Sequence, residues 1–211
     1  GRYNESLLIQ KDIFLVGAGV DKTFIEKTFE NAIIIVSRPI EQASTTLNVT
    51  IQNLSVGGID GDREFDFGRA SGGIRAENSN ITIENVSLYD IGFAYISLYK
   101  STGLIKKVNL NETIHKNIWI TASDLGIDLA ESSAVIDEIT NGPNIDHVIN
   151  HRPLYSRVID GNMTTTQVAL SGDLTLRNSH LTGRRTDWGD GIRFFGNGNN
   201  KKTNSNNIFT G

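Results

Sequence analysis

Asn48-Val49-Thr50-Ile51-Gln52-Asn53-Leu54-Ser55-Val56 recurs 32 residues later as Asn80-Ile81-Thr82-Ile83-Glu84-Asn85-Val86-Ser87-Leu88, with the apolar, polar and Asn positions matched throughout. In each copy the apolar residues alternate, Val49 with Ile51 and Ile81 with Ile83, as one face of a strand requires. The alternation then changes parity across Asn53 or Asn85, so that Leu54 and Val56, or Val86 and Leu88, again aim at the same interior. A strand, a one-residue corner and a second short strand, both facing inward, describe a chain wrapping its own core rather than a flat hairpin. Asn suits such a corner because it tolerates left-handed backbone angles, and its amide can hydrogen-bond the Asn of the next layer.

Fainter copies lie on both sides. Ile13 and Leu15 lead to a corner at Gly17; Ile105, Val108 and Leu110 form another copy; Leu174 and Leu176 precede Asn178 and Leu181. Asn178-Ser179-His180-Leu181-Thr182-Gly183 matches Asn206-Asn207-Ile208-Phe209-Thr210-Gly211 at a shift of 28, and Ile83 to Ile105 is a shift of 22. Periods of roughly 20 to 40 residues are those of solenoids. A second sheet is expected from Gly73-Ile74-Arg75-Ala76 and Gly191-Ile192-Arg193-Phe194, with Ile inward and Arg outward, and further strands from residues 32–36 and 95–98, where β-branched and aromatic residues dominate. Between Asn111 and Met163 the register is lost, and Ser123 to Ile139 reads as a short helix or a long turn. The fold class expected is all-β, a right-handed parallel β-helix with irregular loops and room for one short helix, forming a single domain over 1–211. The pattern breaks off abruptly at both ends, which predicts a piece of a longer solenoid.

Composition supports this and removes other classes. With 38% hydrophobic and 21% charged residues the chain suits a folded core, and 21 Gly against 3 Pro favour many tight turns over rigid linkers. A net charge of −4, with basic residues scattered, offers no field for a phosphate backbone, so nucleic acid is not an expected partner. No apolar run approaches a membrane span and no charged-then-apolar leader opens the chain; a trimmed exported fragment reads the same way. The absence of Cys removes disulfides, thiolate metal sites and cysteine nucleophiles without deciding the compartment. Asn-x-Ser/Thr triplets begin at Asn4, Asn48, Asn53, Asn80, Asn85, Asn111 and Asn162; they are glycosylation acceptors in a eukaryotic secreted chain, and a chain rich in Asn, Ser and Thr also produces them freely.

The opening Gly1-Arg2-Tyr3-Asn4-Glu5-Ser6-Leu7-Leu8-Ile9, with Ile13-Phe14-Leu15-Val16-Gly17-Ala18-Gly19 and Thr23-Phe24-Ile25-Glu26, resembles the first rung of the pectate-lyase-like superfamily of right-handed β-helices. The closing Gly189-Asp190-Gly191-Ile192-Arg193-Phe194-Phe195-Gly196-Asn197-Gly198-Asn199, then Asn206-Asn207-Ile208-Phe209, is similar to rungs of alginate and chondroitin lyases and polygalacturonases in that superfamily. The likeness is one of rung, not of active site: the paired aspartates, Gly-His-Gly and Arg-Ile-Lys of polygalacturonase-like chemistry are not present intact. What it implies is an extracellular or cell-surface protein that meets polysaccharide.

Several groups of residues have chemistry to offer. Asp60, Asp62, Glu64 and Asp66 place carboxylates at alternate positions in a Gly-flanked loop, the oxygen-rich pattern of a calcium site, and equally of a solvated acidic turn. Asp187-Trp188-Gly189-Asp190 sets two carboxylates around an indole, between Arg184-Arg185 and a strand carrying Arg193. Indoles stack on pyranose faces, guanidiniums fork onto uronate carboxylates, and paired carboxylates do acid and base work; a surface turn with a half-buried Trp has the same sequence. Tyr89, Phe93, Tyr95 and Tyr99 share parity and form either a sugar platform or stacked core aromatics, and Trp119 is the better exposed-aromatic candidate. His147 and His151 are spaced for one helix face, but Pro143, Pro153 and the missing Glu of a zinc-hydrolase motif make a long surface loop the expectation. No nucleophile elbow appears, and Gly17-Ala18-Gly19 lacks the spacing and Lys of a phosphate loop.

Three functions follow from these readings. The first is a non-catalytic carbohydrate-binding or adhesive surface, with Trp119, Trp188, Tyr95, Tyr99 and Asp187 as contacts. The second is a polysaccharide lyase on uronate glycans, with calcium or Arg neutralising the carboxylate and Arg75, Lys100, Arg184, Asp190 and Arg193 as candidate catalytic groups. The third is a structural spike or scaffold with no ligand.

Overall fold

The structure, a computed structural model, describes the chain except residues 28–31, 40–44, 59–71, 92–93, 112–122, 143–144, 152–153, 160–161, 168–170, 183–189, 195–201 and 211. Every regular element among the described residues is a strand. The first ten are β1 (Arg2–Asn4), β2 (Leu7–Ile9), β3 (Ile13–Val16), β4 (Phe24–Glu26), β5 (Ile34–Val36), β6 (Leu47–Gly57), β7 (Ile74–Glu77), β8 (Ser79–Tyr89), β9 (Ala94–Tyr99) and β10 (Thr102–Asn111). Next come β11 (Ser123–Ala130), β12 (Ser133–Asp137), β13 (Thr140–Asn141), β14 (Ile145–His151), β15 (Leu154–Ile159) and β16 (Asn162–Gln167). The last are β17 (Leu174–Arg177), β18 (His180–Thr182), β19 (Asp190–Phe194), β20 (Lys202–Ser205) and β21 (Ile208–Thr210).

These strands make two parallel sheets between which the chain alternates. The larger sheet has 12 strands, with β6, β8, β10, β12, β17 and β20 paired in that order, and the smaller has seven, ordered β19-β14-β11-β9-β7-β5-β2. An antiparallel hairpin, β15 with β16, stands apart. Asn48 pairs with Asn80, as the 32-residue repeat predicts, and Ile83 with Ile105, as the 22-residue shift predicts. His180 pairs with Ile208 at the shift of 28. Inward side chains from both sheets form one buried cluster. Its spine is Ile51, Ile83, Ile105, Ile136 and Leu176, in register across five strands, with the half-buried Leu15 of β3 packed against its end. Among the described residues no helix is long and apolar enough to cross a membrane.

The corner inside the larger sheet has the backbone the parity change demands. Asn53 (φ 59°), Asn85 (φ 52°), Asn178 (φ 52°) and Asn206 (φ 53°) are left-handed, and Lys107 (φ 52°) and Glu138 (φ 57°) hold the same place in layers where no Asn signals it. Asn85 Nδ2 donates to Asn53 Oδ1 (2.8 Å) and Asn206 Nδ2 to Asn178 Oδ1 (3.3 Å), the interlayer amide ladder expected of such corners. A second left-handed corner, leading from the smaller sheet into the larger, is formed by Asn78, Lys100 and Glu131. Each is followed by a buried serine, Ser79, Ser101 or Ser132. The Ser101 hydroxyl accepts the amide of Ser79 at 3.1 Å, and the Ser132 hydroxyl that of Ser101 at 3.1 Å. Each hydroxyl in turn donates to the carbonyl two residues back, so a polar side chain enters the interior with its hydrogen bonds satisfied.

Two local expectations are corrected. Ser123 to Ile139 is neither helix nor long turn but β11, the Glu131 corner and β12, because Leu125, Ile127 and Leu129 alternate with period two and all reach the core. His147 and His151 lie on β14, not in a surface loop. Ile145, Val148 and Ile149 supply β-branched strand formers between them, and Pro143 and Pro153 fall beyond the ends of the strand. His151 is fully buried, with Nε2 3.1 Å from the carbonyl oxygen of Ser171.

Candidate binding groove on the larger sheet

Because side chains alternate across a strand, the residues between the core positions of β3, β6, β8 and β10 all face outward, and parallel pairing aligns them in rows across the layers. One row is Asp12, Asn48, Asn80 and Thr102; the next is Phe14, Thr50, Thr82 and Leu104. With Ile13, Val49, Ile81 and Gly103 beneath, they line an open groove of about 550 Å³, within the range of ligand pockets. Phe14 is 82% exposed and Leu104 39%, so the groove carries an apolar contact at each end of its second row.

The first row is one hydrogen-bonded relay. Thr102 Oγ1 donates to Asn80 Oδ1, Asn80 Nδ2 to Asn48 Oδ1 (3.1 Å) and Asn48 Nδ2 to Asp12 Oδ2 (3.2 Å), while the Asn48 amide donates to Asp12 Oδ1 (3.0 Å). The Asn48 amide, then its side chain, and finally the Arg38 guanidinium 3.7 Å away hold the Asp12 carboxyl below its ordinary range against the opposing effect of burial. The relay therefore ends on a carboxylate. Each amide keeps an unused N–H and each oxygen an unused lone pair, so the row presents donors and acceptors in fixed positions.

A second depression of about 540 Å³ adjoins the first and shares Asn80 and Thr102 with it. On its wall Lys100, half-exposed, stands 3.6 Å from Glu131 and 5.1 Å from the centre of the Tyr99 ring. Tyr99, by hydrogen bond and charge, and then Glu131 raise the Lys100 ammonium above its ordinary value. A lysine so held stays protonated at neutral pH, which suits it to bind an anion and not to accept a proton.

Other candidates lie on the smaller sheet. Arg75, Ser97, Asp128, Asn150 and Arg193 occupy one row across β7, β9, β11, β14 and β19. Register thus puts Arg193 in line with Arg75, with a buried Asp–Asn pair between the two positions, Asn150 Nδ2 donating to Asp128 Oδ1 at 2.9 Å. Arg75 is 3.4 Å from Glu77. Asp190 aligns with His147 rather than with that row.

Tyr95 is corrected from a sugar contact to a core residue. It is 0% exposed, in register between Gly73 and Gly126, and its hydroxyl donates to the Asn111 carbonyl at 3.2 Å. A Cβ on Gly73 would come within 2.4 Å of the Tyr95 carbonyl oxygen, and one on Gly126 within 2.4 Å of the Val148 oxygen, so both neighbours of this large ring are held to glycine. Tyr89 is half-buried over Gly57, its hydroxyl on Glu26, while Tyr99 lies half-buried beside Lys100. Asp60, Asp62, Glu64, Asp66, Phe93, Trp119, Arg184, Asp187 and Trp188 lie outside the described residues, as do the side chains of Asp190 and Arg193. Among the described residues no three His, Cys, Asp or Glu side chains gather as metal ligands. No protein-family model, curated protein or solved structure matches this chain.

Proposed function

We propose that the chain is a right-handed parallel β-helix of the pectate-lyase-like kind, exported or displayed at the cell surface, that binds polysaccharide without cleaving it. The observation that carries this reading is the groove on the larger sheet. Its two Asn–Thr pairs, Asn48 with Thr50 and Asn80 with Thr82, stand in adjacent layers at the strand spacing of about 4.8 Å, a step close to one ring of a linked sugar chain. Long, shallow and open, the groove suits a polymer lying across strands better than a small molecule enclosed in a pocket. Affinity electrophoresis of the purified chain in gels containing soluble polysaccharides tests it: binding appears as retardation, and mobility equal to that in polymer-free gels throughout the panel would favour the ligand-free scaffold instead. Trp119→Ala and Trp188→Ala, run alongside, decide whether an aromatic platform contributes.

A second reading, a lyase on uronate glycans, is favoured by one observation: Arg75 and Arg193 share a row with Asp128. In that reading the guanidiniums neutralise a uronate carboxylate, and the carboxylates of Asp60, Asp62, Glu64 and Asp66 would hold a calcium ion that does the same. A rise in ultraviolet absorbance from the conjugated double bond of the eliminated product, with and without added calcium, detects it.

A further inference from the structure

We infer that the polysaccharide held in the groove on the larger sheet is a neutral one, a hydroxyl-rich glycan without uronate or sulfate groups, seated across Asn48, Asn80, Thr50 and Thr82 with Phe14 against a sugar face. The inference rests on the binding reading and narrows it. Its ground is charge complementarity. The groove lining from Asp12 to Leu104 contains no cationic side chain, and its one ionised group is the Asp12 carboxylate. A polyanion laid along the Asn48–Asn80–Thr102 row would bring its own carboxylates toward that end of the relay, where like charges repel.

Two of the cations near the groove are engaged, while Lys11, exposed beside Asp12, lies outside the lining. Arg38 faces Asp12 itself, and Lys100 in the adjoining depression faces Glu131. Along the far side the outward row Gln52, Glu84 and Lys106 carries one charge of each sign in adjacent layers. The lining itself therefore presents no positive charge to hold a charged polymer. What remains are neutral groups that both donate and accept: two carboxamides and three threonine hydroxyls, in rows one strand spacing apart and two residues apart along each strand. Sugar hydroxyls also donate and accept, and they match such a surface without counterions. The exposed Phe14 ring adds an apolar face of the kind that packs on the C–H side of a pyranose.

The test is a panel of soluble neutral glycans (a mixed-linkage glucan, a galactomannan and a xyloglucan) beside anionic ones (polygalacturonate, alginate and hyaluronan), each titrated at low and high salt. The expected result is retention on at least one neutral polymer that persists in high salt. Asn80→Ala or Thr82→Val should weaken it roughly three- to tenfold for each hydrogen bond removed, with both variants first shown to melt as the parent does. Retention on anionic polymers alone, abolished by salt, overturns neutral specificity while the polysaccharide reading stands. Neutral binding unchanged in Asn80→Ala, Thr82→Val and Phe14→Ala moves the site off this groove and overturns the inference. Retention on no polymer overturns the binding reading itself.

Discussion

Replacing Asn85 separates the two jobs assigned to a corner residue. Its backbone sits at φ 52°, and its side-chain amide donates to Asn53 Oδ1 at 2.8 Å. Alanine removes the ladder bond and forces an ordinary L-residue into the left-handed region. The second effect costs about 1–2 kcal/mol, and the first, for an exposed pair competing with water, falls at the low end of about 0.5–1.5 kcal/mol. Asn85→Ala should therefore cost about 2 kcal/mol. Asn85→Gly loses the same hydrogen bond but is at ease at positive φ, so its cost should be nearer 1 kcal/mol. For a chain of this size a kilocalorie moves the melting midpoint by about 2–4 °C, which calorimetry separates readily. A cycle of Asn53→Ala, Asn85→Ala and the double variant isolates the ladder. Equal stability of the Gly and Ala variants would refute the backbone argument, and strict additivity in the cycle would refute the ladder.

Tyr95→Phe should cost about 1 kcal/mol for the lost bond to Asn111 and Tyr95→Ala about 3–5 kcal/mol for the cavity, with polysaccharide retention intact in Tyr95→Phe; loss of retention there would restore Tyr95 as a sugar-binding residue. Gly172→Ala places a Cβ 2.0 Å from the Ser132 carbonyl oxygen at φ 102°, so it should lower stability by more than about 2 kcal/mol, and a melting midpoint equal to the parent's would contradict that crowding. The Asp137 carboxyl is held below its ordinary value of 3.8, chiefly by Asn178 and then by Arg177 against the effect of burial. Its stabilising contribution is therefore complete above that pH and disappears as pH falls through the lowered folded-state value. Denaturation midpoints measured from pH 5 downward should fall less steeply in Asp137→Asn than in the parent; parallel curves would exclude this carboxylate as a source of acid sensitivity.

What could be read from the sequence depended on whether a residue's identity or only its position carried the signal. The corners at Asn53, Asn85, Asn178 and Asn206 were legible because Asn is one of few residues at home in left-handed backbone. Lys107 and Glu138 take up the same angles with no such preference, held there by strands on either side. The register from Asn111 onward faded for this reason, although Leu125, Ile127 and Leu129 alternate as clearly as any strand in the chain. Tyr95 shows the limit of parity reasoning: it counts as outward from its neighbours in sequence, yet Tyr95 and Ile96 are both buried, as are Gly73 and Ile74 in the layer before. The bend that turns both inward is visible only once the layers are stacked.

The groove was hidden in plain view. Asn48-Val49-Thr50 and Asn80-Ile81-Thr82 attract notice as glycosylation triplets, but a spacing of two puts both polar residues of each triplet on one side of a strand. Layer stacking then turns the triplets into rows. Two of the seven triplets in this chain, those at Asn48 and Asn80, take their spacing from that geometry. Arg75 and Arg193, chosen from separate stretches, fell into one row because each follows an inward Ile in matching strands, whereas Asp190 and Lys100 landed elsewhere.

The bend at Asn53 and its counterparts from Asn85 to Asn206 is always one residue long, while equivalent positions elsewhere are separated by anything from 22 to 40 residues. From Asn53 onward the variation in length falls in the connections into and out of the smaller sheet, whereas the first layer holds extra residues in the bend itself, Val16 and Phe24 pairing where Gln52 and Ser55 do. Between the inner layers that leaves a bend line with no spare residue: one extra residue beside Asn85 must be looped out, as the residues after Gly17 are in the first layer, or it turns the inward face of the strand that follows outward.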